Sequence, residues 1–411
     1  MKIGTGLKRG LLKRRVVITG VGVISSIGIG WRDFWKGLLE GKSGISRVEA
    51  FDTSNHFTHN GGEVKNFRPE EFIPQKKLST LNRTSQMAIA ASLMALNDAG
   101  LMNDISKNIA VSFGTTLGDA QTIELIDELI LSGKPILKNI YYQIPTHASP
   151  SNISKNLNLK GPNFMFSTAC AAGNYAIAYG YDMIVLNRAD IVIAGASDAM
   201  SRIEFTGFNQ FKAVAPERCQ PFDKNRKGMM LAEGCGVLIL ESLESALKRN
   251  APIYAEIIGY GLSCDAHHMT TPTVEGIAAC MRKAMREANI TINDVDYICA
   301  HGTGTLMNDK NECAAIKEVF GPRYREIPVS SIKSMLGHTM GAASALEAIA
   351  CALTVKNDII PPTINYETPD PECDIDCVPN RARQHKVKIA LNNSYAFGGN
   401  NACLVIKKYI N

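Results

Sequence analysis

Two stretches in distant parts of the chain open in the same way. STACAAGNYAIA (167–178) and GHTMGAASALEAIA (337–350) each follow an apolar run, pass through small residues and lead into an alanine-rich segment. Alanine-rich helices are narrow, so they can pack deep inside a layered structure. The repeat points to two related halves packed face to face, with the loops that open these two helices meeting between them.

The rest of the chain supplies the layers. Residues 15–21 (RVVITGV) read as a buried strand and 31–40 as a helix. A helix rich in Ala, Met and Leu runs over 84–99 and stops at Gly100, and an amphipathic helix covers 119–132. Strands are expected at 108–113, 190–195 and 235–240, and 162–169 reads as a strand running into a small-residue turn. A second cycle starts near Ile253, with strands at 253–261, 295–300, 327–332, 387–392 and 402–407 and helices at 275–289 and 341–356. This alternation implies an α/β chain with covered sheets. At 411 residues the chain exceeds one simple core. The expected division gives an N-terminal half, 15–257, and a C-terminal half, 258–411.

Bulk properties exclude several classes. The net charge of +5 comes without a long Lys/Arg stripe, which argues against nucleic acid. Lys65, Arg68, Lys76, Lys77 and Arg83 form a basic stretch that can steer an acidic partner. The 11 cysteines are odd in number and many lie singly in apolar runs, as suits a reducing cytoplasm. Cys373 and Cys377 have no second pair nearby, nor do His56 and His59, so no metal is expected. Lys8, Arg9, Lys13, Arg14 and Arg15 precede an apolar run from Val16 to Ile29. Glycines and serines break that run, so it reads as a strand leading into a loop, not as a signal peptide. No stretch is long enough to span a membrane.

Four segments carry chemistry. Cys170 lies where a helix begins. The positive end of the helix dipole there favours thiolate, the attacking species in acyl transfer, and free N–H groups can hold an oxyanion. His301 opens HGTGT (301–305) at the end of an apolar strand, where α/β sites gather. Lys333 and His338 share SIKSMLGH (331–338); a nearby ammonium keeps an imidazole neutral. Phe397 sits between Ala396 and two glycines in NNSYAFGGNN (392–401), which reads as an aromatic flap.

One Cys, then HGTGT, then SxKSxxGH, then NSxxFGG, in that order, resembles the β-ketoacyl-acyl-carrier-protein synthases of the elongating type. The likeness covers residues 15–408, including FDTS (51–54), SCDAHHMTTP (263–272) and DKNE (309–312), and is nearest to synthase II. Polyketide ketosynthases are near relatives. The resemblance implies a thiolase-like five-layered αβαβα fold and usually a homodimer. It implies decarboxylative Claisen condensation of an acyl group on Cys170 with malonyl-acyl-carrier protein, without metal or redox cofactor, the substrates riding on the carrier's phosphopantetheine. Cys170 matches the nucleophile, His301 and His338 the enolate-binding pair, Lys333 the lysine of the site and Phe397 the gate. The backbone N–H groups of Phe397 and Cys170 match the oxyanion hole. Thr303 and Thr305 match pantetheine contacts, Asp265 and Glu312 loop residues around the gate, and Thr116 and Leu117 the acyl-pocket lining. Tyr395, Ala396 and Asn400 depart from the usual flap and Thr116 from a glycine-rich stretch, which leaves a specialised polyketide-type pathway open beside fatty-acid elongation. A non-condensing relative lacks the cysteine, and a degradative thiolase wants a second one near the C-terminus.

Overall fold

A computed structural model describes residues 14–103, 105 and 107–410. Lys8, Arg9 and Lys13 of the basic N-terminal stretch lie outside the described residues. The first half contributes β1 (Val16–Ser25), β2 (Ala110–Gly114), β3 (Asn163–Phe166), β4 (Ile191–Asp198) and β5 (Gly234–Ser242), ordered β3-β2-β4-β5-β1. The second half contributes β6 (Ala255–Cys264), β7 (Tyr297–Cys299), β8 (Val329–Ser330), β9 (Ile389–Tyr395) and β10 (Asn400–Lys407), ordered β8-β7-β9-β10-β6. The two orders are the same permutation. In each half the second, third and fourth strands run parallel, while the fifth pairs antiparallel with the fourth and the first. Val16–Ile18 of β1 pairs with Ala255–Ile257 of β6 and joins the sheets.

Helices α1 (Arg83–Asp98) and α2 (Ala148–Leu157) cover one outer face. Helix α3 (Ala172–Val185) enters the space between the sheets. Helices α4 (Val274–Glu287) and α5 (Leu306–Phe320) form the other outer layer, and α6 (Ala343–Asn357) returns to the centre beside α3. The result is the five-layered αβαβα arrangement that the family resemblance implies. The repeated stretches are its middle layer, and α6 is buried at every residue from Ala343 to Val355. A side chain at Gly173 of α3 would meet the Ala345 backbone nitrogen at 2.7 Å, so the two helices touch at their openings. Asn174 and Asn392 lock this seam: the Asn392 amide donates to Asn174 Oδ1 at 2.9 Å and to the Ser344 carbonyl at 2.9 Å.

Glycine also explains why the apolar run at 16–29 is interrupted. A Cβ at Gly20 would lie 2.3 Å from the Ala95 carbonyl oxygen, and one at Gly22 1.9 Å from that of Ala91. These glycines let α1 sit directly on β1, which continues to Ser25.

Two expectations are corrected. The topological break lies in the loop ahead of Ala255, so a division at 257 cuts through β6. The 162–169 stretch is, as expected, a strand that runs into a turn: it ends at Phe166, ahead of Cys170. The 392–401 flap is a hairpin: β9 runs through Tyr395, and only the tip around Phe397 is a turn.

Candidate active site

The two central helices open through the same turn. Ala169 holds φ +48°, and its counterpart Met340 holds φ +50°. Side chains rarely adopt this region and do so where the surroundings enforce it. Each opens a single 3₁₀ turn, Ala169–Ala171 or Met340–Ala342, before the α-helix begins. Cys170 thus lies on the 3₁₀ turn ahead of α3, with its carbonyl accepting from the Ser394 hydroxyl at 2.9 Å.

His301 follows β7. The Glu312 carboxylate, reaching up from α5, accepts the N–H of His301 at 2.9 Å and of Gly302 at 2.8 Å. On the same helix Asp309 accepts the Gly304 N–H at 3.1 Å. The loop is therefore pinned through its backbone, which leaves the imidazole to face the cavity. His338 precedes the second elbow. Its Nδ1 lies 3.1 Å from the Met340 N–H, which can only donate. Nδ1 is therefore the acceptor, and the neutral ring carries its proton on Nε2. That Nε2 is buried with no hydrogen-bond partner among the described residues.

The Cys170 sulfur and one ring nitrogen from each histidine all lie within 4.8 Å of one another. The two rings meet edge to face, centroids 5.4 Å apart. Burial holds both imidazoles well below their ordinary range, and the Lys333 ammonium pushes the same way. They are neutral donors. Lys333 is buried and paired with Glu347, whose carboxyl is pushed up to about 7 by burial against the pull of that ammonium.

The cysteine overturns one expectation. Burial pushes the Cys170 thiol up to about 12, although Lys333 and the backbone N–H groups of Cys170 and Phe397 act in the opposite direction. Desolvation outweighs the helix terminus, so the resting group is a thiol. Three donors at this spacing could also hold a metal ion, but ligation would need the thiolate that burial disfavours.

The beta-ketoacyl synthase N-terminal domain matches residues 13–246, and the beta-ketoacyl synthase C-terminal domain matches residues 254–367. The chain belongs to the beta-ketoacyl synthase family. It is 40% identical to "3-oxoacyl-[acyl-carrier-protein] synthase 2" of Synechocystis, over 97% of this chain and 99% of that one. It is also 40% identical to "Nodulation protein E" of Rhizobium meliloti, over 97% and 100%. Among solved structures, "The ishigamide ketosynthase/chain length factor" superposes with a TM-score of 0.94 at 44% identity, covering 97% of this chain and 100% of that one.

In this synthase one cavity is lined by Cys170, His301, His338, Thr303, Thr305 and Phe397. The hydroxyls of Thr303 and Thr305 lie 2.9 Å apart. The Phe397 ring packs against Phe208 and Phe211, centroids 5.6 and 6.4 Å away. The other residues proposed from sequence stand outside the cavity lining. Lys333 acts on it through charge. Glu312 holds the His301 loop. Asp265 accepts from Asn401 Nδ2 at 2.7 Å and from the Thr273 N–H at 3.0 Å, and its own N–H reaches the Gly399 carbonyl at 3.0 Å, so it props the Phe397 turn. The Thr116 N–H is spent on Asp198, and Leu117 points to solvent. The basic stretch loses Arg83, whose guanidinium grips buried Glu233 at 2.6 and 2.8 Å.

Tyr395, which the sequence marked only as a departure from the usual flap, has its ring 5.7 Å from that of His301; sequence reasoning missed the Phe208–Phe211 shelf and Glu347. Glu347 alone left a trace: it is the one charged residue in an otherwise apolar helical stretch, GAASALEAIA.

Proposed function

We propose that this synthase accepts an acyl group from a carrier-protein thioester onto Cys170 and condenses it with malonyl-carrier protein, releasing carbon dioxide and β-ketoacyl-carrier protein. The observation that carries the reading is the convergence of one thiol and two neutral imidazoles within 4.8 Å. The Cys170 sulfur attacks the thioester carbonyl, and the N–H groups of Cys170 and Phe397 receive the oxyanion; as it collapses the carrier thiolate departs, taking up the proton given up by the Cys170 thiol. The acyl-enzyme then meets the malonyl thioester, whose carbonyl oxygen takes hydrogen bonds from His338 Nε2–H and His301. Loss of carbon dioxide leaves an enolate held by those donors. Its carbon attacks the acyl carbonyl, and the Cys170 thiolate departs and takes a proton from solvent, restoring the resting thiol. No metal or redox cofactor has a step in this sequence.

The cavity mouth fits a carrier. Lys212 and Lys227 flank it beside exposed Phe211 and Met269, and Thr303 and Thr305 lie along the way to the sulfur. The Synechocystis relative is named for an acyl-carrier protein, and "AntDE:AntF (apo): type II PKS acyl-carrier protein in complex with its ketosynthase bound to the hexaketide" matches with a TM-score of 0.89 at 34% identity. Self-association as a homodimer is supported by the edge strand β3 with exposed Phe164, and by Leu117, Ile130, Leu131 and Tyr142, all exposed and apolar. All eleven cysteines are free and ten are buried, in keeping with a cytoplasmic protein. Among the described residues no helix is long and apolar enough to cross a membrane.

The likeness to a type II PKS ketosynthase, together with Ala396 where the flap usually has glycine, supports a specialised polyketide-type substrate as a second reading. Both readings meet the same assay. Purified protein given acyl-carrier and malonyl-carrier should yield β-ketoacyl-carrier and one carbon dioxide per product, read by mass spectrometry. Acyl exchange without a new carbon–carbon bond would refute condensation. Equal rates on straight saturated chains of many lengths would exclude the specialised reading.

A further inference from the structure

One buried carboxylate close to the site lies outside the cavity lining and joins the two halves. Asp198 is the last residue of β4 and is almost fully buried. It accepts from the Thr115 hydroxyl at 2.5 Å, from the Thr116 N–H at 3.0 Å to both oxygens, and from the Gly341 N–H at 2.7 Å. These donors belong to different halves. Thr115 and Thr116 follow β2, and the Thr116 carbonyl in turn accepts from Ser167 Oγ at 3.0 Å, three residues ahead of Cys170. Gly341 belongs to the second elbow, next to strained Met340, whose own N–H sets the tautomer of His338.

By the repeat, Gly341 occupies in the second half the place that Cys170 occupies in the first. Around Cys170 the N–H is left to the reaction; around Gly341 the equivalent N–H is filled by Asp198. The fit is close: a Cβ on Gly341 would stand 2.7 Å from Asp198 Oδ2 and 2.9 Å from the Thr115 carbonyl carbon. Two successive N–H groups thus have successive tasks. That of Met340 holds His338 Nδ1, and that of Gly341 is anchored to Asp198.

We propose that Asp198 is a positioning residue for condensation, which fixes the Met340–Gly341 turn so that His338 presents Nε2–H to the malonyl thioester. This rests on the condensation reading above. The role is one of hydrogen bonding, not charge. An Asn amide oxygen can take the place of Oδ2 and keep the Gly341 and Thr116 bonds. Its NH2 would then face the Thr115 hydroxyl, which can turn and accept.

The test separates the two half-reactions in wild type, Asp198→Ala and Asp198→Asn. Acylation of Cys170 is followed by intact mass, and carbon dioxide release from malonyl-carrier is followed on the acylated protein. The His338 tautomer is read by 15N spectra of histidine-labelled protein. Asp198→Ala should acylate within about threefold of wild type, release carbon dioxide about 30-fold more slowly and lose the single Nε2–H tautomer, whereas Asp198→Asn should keep all three close to wild type. Equal slowing of both half-reactions with the tautomer unchanged would overturn the proposal, as would an Asn variant as slow as the Ala one. If Asp198→Ala does not fold, the Asn variant decides alone: normal acylation with a large loss of carbon dioxide release contradicts hydrogen-bond positioning. A wild-type protein that releases no carbon dioxide would instead refute the condensation reading itself.

Discussion

The ammonium of Lys333 is paired with the carboxylate of Glu347, and both side chains are 1% exposed. Neither has water to fall back on. The pair lies in the field of Cys170 and both histidines, where a fixed positive charge favours a neutral imidazole and a forming thiolate.

The two partners should not be equally dispensable. Glu347→Leu strands a buried ammonium and is expected to cost about 3–5 kcal/mol. Lys333→Met should cost less, because Glu347, already pushed up to about 7, loses the cation that holds it down and takes a proton. A carboxyl raised by folding contributes stability that is lost as pH rises through its folded value. Lys333→Met should therefore weaken more steeply than wild type between about pH 6 and 8. Urea denaturation at several pH values checks this, and a reversed order of the two variants would refute it.

The imidazoles carry the opposite sign. Their folded values lie well below the ordinary range, so the unfolded chain binds more protons as acid is added. Their contribution to stability is complete above about pH 6.5 and declines below it. His338→Gln should lose less stability than wild type on acidification. In 15N spectra neither His301 nor His338 should titrate near pH 6.5; a midpoint there for either ring would contradict the neutral donor pair.

Alkylation reads the thiol directly. With Cys170 held up to about 12, its reaction with iodoacetamide should accelerate about tenfold per pH unit through the neutral and mildly alkaline range, without a plateau. Peptide mass spectrometry resolves Cys170 from exposed Cys264. A plateau near neutrality would show a resting thiolate instead.

Glu312 is a backbone support. Glu312→Ala leaves the N–H groups of His301 and Gly302 buried without acceptors, at about 1–3 kcal/mol each. Condensation should fall by about tenfold or more. Glu312→Gln keeps an acceptor and should fall less. Equal turnover in the two variants, measured as product per minute, would remove this role.

Local pattern and tertiary context divide what could be read ahead of the structure. The strands were legible because their faces are buried on both sides, as in Val192–Ala196 and Val237–Leu240. The middle layer was legible because STACAAG and HTMGAAS repeat an elbow that needs small residues. Cys170, His301 and His338 stood out because each sits in a Gly-, Ala- or Thr-rich turn. Asp198 did not: a carboxylate at a strand end carries no local mark, and its partners lie far along the chain at Thr115 and Gly341. The protonation of Cys170 was misread for a related reason, since a helix terminus is visible in sequence and desolvation is not. Arg83 seemed part of a basic surface until the fold brought Glu233 beneath it.

The central claim is a division of labour, in which the sulfur carries the acyl group and the imidazoles make the enolate. Intact-protein mass spectrometry of His338→Gln, supplied with acyl-carrier and then malonyl-carrier, tests it directly. The account predicts that the acyl adduct on Cys170 forms at close to the wild-type rate and then persists, with discharge slowed about 100-fold or more. Discharge at the wild-type rate, or an adduct that never forms, would contradict it.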